Sequence, residues 1–273
     1  MVGDLHQANK TDRLKMKVLN LYAGIGGNRK LWENVEVVAV EWDLKIAQIY
    51  QDFFPDDEVI ITDAHKFLLE NFMKYDFIWS SPPCPTHSKI RWMSTFAPKN
   101  TRKAVYPDMK LYEEIVLLDS YFEGKWCVEN VISYYTPLIK PQIIGRHYLW
   151  ANFLIRNERV NGGSHLGSVE ELTIRKSFDI SSYLGIDKKT ILRNCVEPEI
   201  GKLVLDCARG NTQKTLLEVL NETSDSSFNI PKMNPSLLRN KEYIHDMPPS
   251  DRRGALRSVA PDGFARAFKE ANP

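Results

Sequence analysis

Short apolar segments alternate with helix-length amphipathic segments along the first half of the chain. Strands are predicted at residues 17–22, 35–40, 59–62, 75–79 and 125–128, and helices at 28–33, 46–53, 66–72 and 111–122. Strands and helices repeated in this way are typical of parallel strands joined by crossover helices. The alternation predicts an α/β fold with a doubly wound, mostly parallel sheet, to which residues 148–155 add a later strand or hairpin.

Length and composition limit the class of protein. The 273 residues, 43% of them hydrophobic, suit one large α/β domain or one domain with a small appendage. We expect an N-terminal tail at 1–15, an α/β domain at 16–153 and an appendage at 211–273, where the alternation ends and prolines recur. The net charge of +1 gives no overall attraction to a polyanion, so any basic surface must be local.

The four cysteines lie far apart in the sequence and have no histidine at zinc spacing. Their spacing argues against a metal site and for a reducing, intracellular setting. The polar N-terminus lacks the apolar core of a signal peptide, and no apolar run is long enough to span a membrane. We therefore expect a cytoplasmic protein that binds neither a metal nor a membrane.

The fourth predicted strand ends abruptly at Pro82, Pro83 and Cys84. A proline pair stops a strand and leaves a stiff loop, because proline lacks the backbone N–H and has a fixed φ. Doubly wound sheets place their chemistry at the carboxyl ends of their strands. Cys84 is therefore a candidate nucleophile, although a lone cysteine is more often a small half-buried apolar residue.

Three glycines, Gly24, Gly26 and Gly27, follow the first predicted strand and precede the helix predicted at 28–33. Such a turn brings the backbone close to a ligand and aims the N–H groups of a helix N-terminus at it. The spacing differs from the GxGxxG of dinucleotide-binding proteins, so a purely structural turn stays an alternative. Lys30 lies outside the pattern of a phosphate-binding loop.

The next two predicted strands end in acidic residues. Glu41 is placed to accept both hydroxyl groups of a ribose, and Trp42 offers a flat face to a purine. Asp63, after the third strand, can accept a hydrogen bond from an exocyclic amine. Together with the glycine turn, these residues describe a pocket for adenosine without phosphates, which fits S-adenosylmethionine better than ATP or NAD.

The residues at these strand ends resemble the conserved blocks of a known family, the DNA (cytosine-5) methyltransferases. The blocks that are similar in order and spacing are residues 21–27, Glu-Trp-Asp at 41–43, Asp63, Ser-Pro-Pro-Cys at 81–84 and Glu-Asn-Val at 129–131. The resemblance covers roughly residues 16–155 and resumes at 192–198, which is similar to the family's late block that folds back onto the cofactor. It implies the S-adenosylmethionine-dependent methyltransferase fold.

The resemblance also implies a reaction. Cys84 is expected to add to carbon 6 of cytosine, so that carbon 5 can take the methyl group of S-adenosylmethionine and leave S-adenosylhomocysteine. Glu129 would act as a general acid at ring nitrogen 3, and Asn130 would brace the Cys84 loop. The base must leave double-stranded DNA to be reached, which implies base flipping. We expect a monomer, with a restriction endonuclease of the same system as a candidate partner.

The family pattern assigns further residues to the site. The block that usually supplies an arginine to oxygen 2 of cytosine reads Gly-Arg-His at 145–147, so Arg146 and His147 are both candidates. The cofactor-binding residues implied by the resemblance are Tyr22, Ala23, Gly24, Gly26, Gly27, Glu41, Trp42, Asp63, Ala64, Pro83, Asn194 and Val196.

The recognition part departs from the family. Only residues 154–189 separate the arginine block from a return segment at 190–210 that packs on the catalytic domain, so the predicted recognition segment is very small. A second segment similar to the late block, at 256–261, lacks its asparagine, and residues 192–198 are therefore preferred.

Residues 85–107 contain several basic residues and no acidic one, directly after Cys84. Basic side chains can neutralise phosphates while an apolar one fills the gap left by a flipped base, although a basic run is also an ordinary solvated surface. Arg156 and Arg159 are predicted to read guanine, with contacts to phosphates alone as the alternative, and so few contacts support a target of roughly two to four base pairs. The predicted nucleic-acid-binding residues are Ser88, Lys89, Arg91, Trp92, Arg102, Lys103, Arg156 and Arg159.

Two other functions are compatible with the sequence. A tRNA cytosine-5 methyltransferase uses the same chemistry and also has a reduced recognition segment. A relative that binds DNA or cofactor without catalysis would not need Cys84, Glu129 and Asn130, all of which are intact.

Overall fold

The computed structural model describes residues 15–96, 103–156 and 167–210. Outside these ranges lie the N-terminal tail apart from Lys15, the appendage predicted at 211–273 with its block at 256–261, Arg102 and Arg159. Predictions for those residues stay predictions.

The described residues contain one mixed sheet. Its strands are β1 (Met16–Leu21), β2 (Val35–Glu41), β3 (Glu58–Ile61), β4 (Phe77–Ser80), β5 (Lys125–Val131), β6 (Gln142–Ile144) and β7 (His147–Ala151). Their order is β3-β2-β1-β4-β5-β7-β6, with β1 to β5 parallel and with β7 antiparallel to both β5 and β6. The predicted α/β, mostly parallel fold is confirmed.

The described helices are α1 (Leu44–Phe53), α2 (Ala64–Asn71), α3 (Lys89–Ser94), α4 (Lys110–Tyr121), α5 (Val169–Lys176), α6 (Lys188–Asn194) and α7 (Pro198–Ala208). They cover both faces of the sheet, as the alternating side chains of β4 illustrate. Trp79 packs in one cluster with Ile200 of α7, whereas Ile78 packs in another with Leu68 of α2 and Leu118 of α4. Both faces of this central strand are therefore buried, as expected for a parallel sheet.

The helix predicted at 28–33 is wrong, because these residues form turns. Asn28 Nδ2 donates to Asn20 Oδ1 on β1, and Trp32 Nε1 donates to the Gly201 carbonyl on α7. A Cβ atom at Gly201 would overlap the backbone of Asn28, so α7 packs directly on this turn. Contacts between residues distant in sequence override the local helical pattern here.

The recognition segment predicted at 154–189 contributes to the core in its described part. Leu172 of α5, together with Phe178 and Ile180, packs against Ile25 and Ile49. These apolar side chains stabilise the fold, so only the remaining surface of the segment can face a nucleic acid.

Candidate active site

The carboxyl ends of the parallel strands lie along one edge of the sheet. In the sheet, β2 and β3 lie on one side of β1, and β4, the next strand in the sequence, lies on its other side. The loops after β1 and β4 therefore flank the switch point, which is where doubly wound folds bind ligands. These two loops carry the glycine turn and Cys84.

Cys84 is half-buried in a loop that is tied down at two points. Its carbonyl accepts hydrogen bonds from the N–H groups of His87 and Ser88, and Asn130 Nδ2 donates to the Pro82 carbonyl at 2.9 Å. Burial and the nearby charge of Glu129 raise the pKa of Cys84 to about 11. The thiol is therefore protonated at neutral pH in this state.

His147 joins Glu129 to a second glutamate, Glu197. His147 Nδ1 lies 2.6 Å from Glu129 Oε1, and His147 Nε2 lies 2.9 Å from Glu197 Oε2. Glu129 and His147 share one face of the antiparallel pair β5–β7, because Glu129 pairs with Leu149 while Val131 pairs with His147. With both ring nitrogens engaged, His147 has no N–H left for oxygen 2 of a base.

Glu197 is surrounded by cations. Arg146 Nη2 donates to Glu197 Oε1 at 2.7 Å, and Lys176 Nζ lies 3.0 Å from the same oxygen. Burial alone would raise the pKa of Glu197, but His147, Lys176 and Arg146 hold it well below its usual range. Arg146 Nε and Nη1 are buried and lack a hydrogen-bond partner among the described residues. A contact between Arg146 and a base stays a prediction.

The glycine turn is packed on one side and open on the other. Gly24 and Gly26 have φ values of 56° and 84°, which L residues rarely adopt. A Cβ atom at Gly27 would collide with Cys195 and Val196, so the block at 192–198 packs on the turn. A Cβ atom at Gly24 would meet nothing within 4 Å. The backbone at Gly24 thus borders free space at the switch point, although no helix N-terminus follows it.

Glu41 is held beside the glycine turn by backbone groups. Its Oε2 accepts the Gly24 N–H at 2.9 Å, and its Oε1 accepts the N–H groups of Trp42 and Asp43 at 2.8 and 3.0 Å. Oε2 keeps a lone pair for a further donor. Trp42 is 75% exposed, so a face of its ring is available to a ligand.

Several other residues predicted for the cofactor follow strand ends along the same edge, namely Tyr22, Ala23, Asp63, Ala64 and Pro83. Asp63 caps α2 by accepting the Lys66 N–H, and this hydrogen bond lowers the pKa of Asp63. Tyr22, whose φ is 54°, donates its hydroxyl to Glu114 at 2.6 Å. Ala23, Ala64 and Val196 are buried, whereas Pro83 and Asn194 are exposed.

The sequence interpretation missed three charged residues of this region. Glu114 is fully buried, accepts the hydroxyl groups of Tyr22 and Ser80, and lies 3.0 Å from His65 Nδ1. Its position within an amphipathic helix gave no signal. For Glu197 the sequence offers one signal, its position directly before Pro198 in the late block. Lys176 is only 1% exposed, and no signal in the sequence indicates its burial.

The segment after Cys84 begins with α3, a helix that the sequence did not predict. Trp92 of α3 stacks on Tyr134, with ring centroids 5.8 Å apart and planes 7° from parallel, and it stays 45% exposed. Ser88 forms an isolated bridge with Ser133. Lys89 and Lys103 are exposed, and Arg91 and Arg156 are half-buried.

Within the described ranges, no helix is long and apolar enough to cross a membrane. No group of three or more His, Cys, Asp or Glu side chains in these ranges is arranged to hold a metal ion.

The order of the sheet, with its antiparallel last-but-one strand, agrees with the α/β, mostly parallel fold that the resemblance implies. Residues 16–112 match the family model of the C-5 cytosine-specific DNA methylases. The resemblance predicted from the sequence is confirmed over these residues, and with the fold it supports methyl transfer from an S-adenosylmethionine-type donor. A comparison with curated proteins finds no significant match.

Solved structures with a similar fold include a putative methyltransferase, yhhF, from Escherichia coli, at 16% identity over 50% of this chain and 75% of that one, with a TM-score of 0.33. A mutant of DNMT2 from Spodoptera frugiperda shares 22% identity over 42% of this chain and 35% of its own, with a TM-score of 0.30. At such low TM-scores these likenesses say nothing about the substrate.

Proposed function

We propose that this chain methylates carbon 5 of cytosine in double-stranded DNA through a covalent adduct with Cys84. The observation that carries the proposal is the junction between the Cys84 loop and β5. Asn130 ties that loop to β5, and Glu129, the preceding residue, is close enough to raise the pKa of Cys84. This junction supports a pairing of the candidate nucleophile in the loop after β4 with the candidate acid on the neighbouring strand β5.

The chemistry follows from the needs of cytosine. Carbon 5 is too weak a nucleophile to take a methyl group directly. Cys84 first loses its thiol proton to water, and addition of the resulting thiolate to carbon 6 converts the ring to an enamine. Glu129 gives a proton to ring nitrogen 3 as the addition occurs. After methylation, loss of the carbon-5 proton to water, return of the nitrogen-3 proton to Glu129 and departure of Cys84 restore the aromatic base and the thiolate.

The residues at the glycine turn fit a nucleoside cofactor. Gly24 faces open space, Glu41 retains an acceptor beside it, and the exposed ring of Trp42 offers a stacking surface. When bound there, S-adenosylmethionine would supply the methyl group. Glu41 would hold the ribose hydroxyls, and Asp63 would accept from the adenine amine.

Glu41→Ala and Asp63→Ala are each expected to weaken binding of S-adenosylhomocysteine by about 1–3 kcal/mol, the usual loss for a hydrogen bond to a charged group. Calorimetric titration would measure this loss. Glu58→Ala is the control, because Glu58 is exposed at the opposite, amino end of β3. Unchanged affinity in both site variants would move the cofactor pocket elsewhere.

Bisulfite sequencing of DNA from cells that express the protein tests the substrate. We expect methylated cytosines within a short motif of roughly two to four base pairs, because the small recognition segment offers few base contacts. Bisulfite sequencing of RNA from the same cells distinguishes the alternative of a tRNA methyltransferase, which the reduced recognition segment also favours. Methylated tRNA with unmodified DNA would reject the DNA proposal and keep the cysteine chemistry.

A further inference from the structure

The mechanism requires Glu129 to deliver a proton at neutral pH, although carboxyl groups are ordinarily ionised there. The groups around Glu129 suggest where that proton comes from. Glu129, His147 and Glu197 form a continuous chain, and their side chains are 9%, 7% and 3% exposed. Water therefore has little access to any of the three.

The hydrogen-bond pattern demands one more proton than a neutral histidine supplies. Both ring nitrogens of His147 face a carboxylate oxygen, Glu129 Oε1 on one side and Glu197 Oε2 on the other. A neutral imidazole donates from one nitrogen only, so its other lone pair would face a carboxylate lone pair. This repulsion is absent if a second proton lies between His147 and one of the two carboxylates.

The surrounding charges select the carboxylate that shares this proton. Glu197 also accepts a hydrogen bond from Arg146 and forms an ion pair with Lys176, so it stays ionised. Glu129 has no such cation among the described residues other than His147 itself. The mobile proton therefore lies between His147 Nδ1 and Glu129 Oε1.

We infer that His147 supplies the proton that Glu129 delivers to ring nitrogen 3 of the target cytosine, an inference that rests on the proposed function. As the Cys84 thiolate adds to carbon 6, the shared proton moves from His147 Nδ1 to Glu129, which passes it to nitrogen 3 and is left as a carboxylate. His147 then keeps its Nε2 proton toward Glu197. The proton returns along the same path when Cys84 leaves, so the chain is restored. His147 acts through Glu129 and does not touch the base.

The ionisable groups around Glu129, His147 and Glu197 favour an extra proton on His147. Burial lowers the pKa of His147, but the hydrogen bonds and charges of Glu129 and Glu197 outweigh burial and raise it to about 9. The cations facing the chain are Arg146 and Lys176, and the thiols near it are Cys84, Cys127 and Cys195. Burial raises the pKa of each of these thiols, so all three are neutral in this state.

The rate of single-turnover methylation of duplex DNA, measured as a function of pH, distinguishes two roles of His147. It either supplies a proton to Glu129 or only holds Glu129 in position. The wild-type rate is expected to fall only at alkaline pH, as the shared proton is lost. In His147→Gln, Glu129 must take its proton from water, and carboxyl groups do so only under acidic conditions. The falling limb then moves to acid pH, and the rate at neutral pH drops by about 100-fold.

A second variant and a control make the result specific. His147→Arg keeps a cation and hydrogen bonds toward both glutamates but cannot release a proton, so it should stay slow at neutral pH. Lys202→Ala, an exposed change on α7, should keep the wild-type profile. Calorimetry with S-adenosylhomocysteine checks that each variant is folded.

The outcomes distinguish this inference from the proposed function. Wild-type protein that methylates no cytosine and forms no Cys84 adduct overturns the proposed function. An active wild type whose His147→Gln variant is slower by one factor at every pH, or whose His147→Arg variant is fully active, overturns the inference alone. Nitrogen-15 spectra of the histidine rings give a test without substrate. We expect a His147 imidazolium at neutral pH, and a neutral ring there would contradict the proton store.

Discussion

Cys84→Ser is expected to abolish methyl transfer and leave the affinity for S-adenosylhomocysteine unchanged. The substitution replaces one sulfur by oxygen and keeps the loop, because Asn130 bonds to the Pro82 carbonyl and not to the thiol. A serine hydroxyl is a far weaker nucleophile at neutral pH without a strong base beside it. Burial and Glu129 already raise the pKa of the thiol to about 11, and the same surroundings would disfavour an alkoxide even more.

A duplex with 5-fluorocytosine at the target position tests directly whether Cys84 adds to the base. Fluorine cannot leave carbon 5 as the proton does, so the covalent adduct persists. We expect the wild type to be trapped covalently, with the adduct on the peptide that contains Cys84, and the variant to remain free. Cys207→Ser is the matched control, because this buried thiol of α7 faces the core. Turnover of the fluorinated duplex without an adduct, or an adduct at another cysteine, would reject the mechanism.

The fold could be predicted because it depends on short-range patterns. Each parallel strand is a compact apolar run, and each connection to the next has helical length, so sequence alone separates the elements. The strand ends were equally visible, since the glycine turn, Glu41, Asp63 and the Pro-Pro-Cys loop interrupt those runs. Parallel pairing then brings all of them to one edge.

What could not be predicted depends on contacts between distant residues. The chain after Gly27 has the composition of a helix but forms turns, because α7 packs on Asn28 through Gly201. Lys176 and Glu197 pair in the interior although they are 21 positions apart and belong to separate elements. Charged side chains are expected at the surface, so no local pattern distinguishes this buried pair from solvated residues.

The same reasoning applies to His147, which is, with Arg146, one of two candidates from the sequence for the contact with the base. Its place in the arginine block suggested a hydrogen bond to oxygen 2 of cytosine. The register of β5 and β7 instead sets it diagonally beside Glu129, where both ring nitrogens are engaged by carboxylates. A register is a property of two strands together, which the sequence of one strand does not contain.

Glu129→Gln is expected to lower the single-turnover rate by about 10²–10⁴-fold, the usual contribution of a positioned general acid. Glutamine has the same size and can still hydrogen bond to His147, but it cannot transfer a proton to ring nitrogen 3. Glu123→Gln, an exposed change before β5, is the matched control and should keep the wild-type rate.

Glu129→Gln should also change Cys84 in the free protein, which gives a readout independent of catalysis. Two effects raise the pKa of Cys84: burial, which is the larger, and the negative charge of Glu129. Removal of its negative charge favours the thiolate, so alkylation of Cys84 by iodoacetamide should begin at lower pH in the variant than in the wild type. A lower methylation rate combined with this earlier alkylation would show that the variant loses the proton donor and not the nucleophile. An unchanged methylation rate would assign the protonation of nitrogen 3 to another group, and an unchanged alkylation profile would place Glu129 too far from the thiol to act with it.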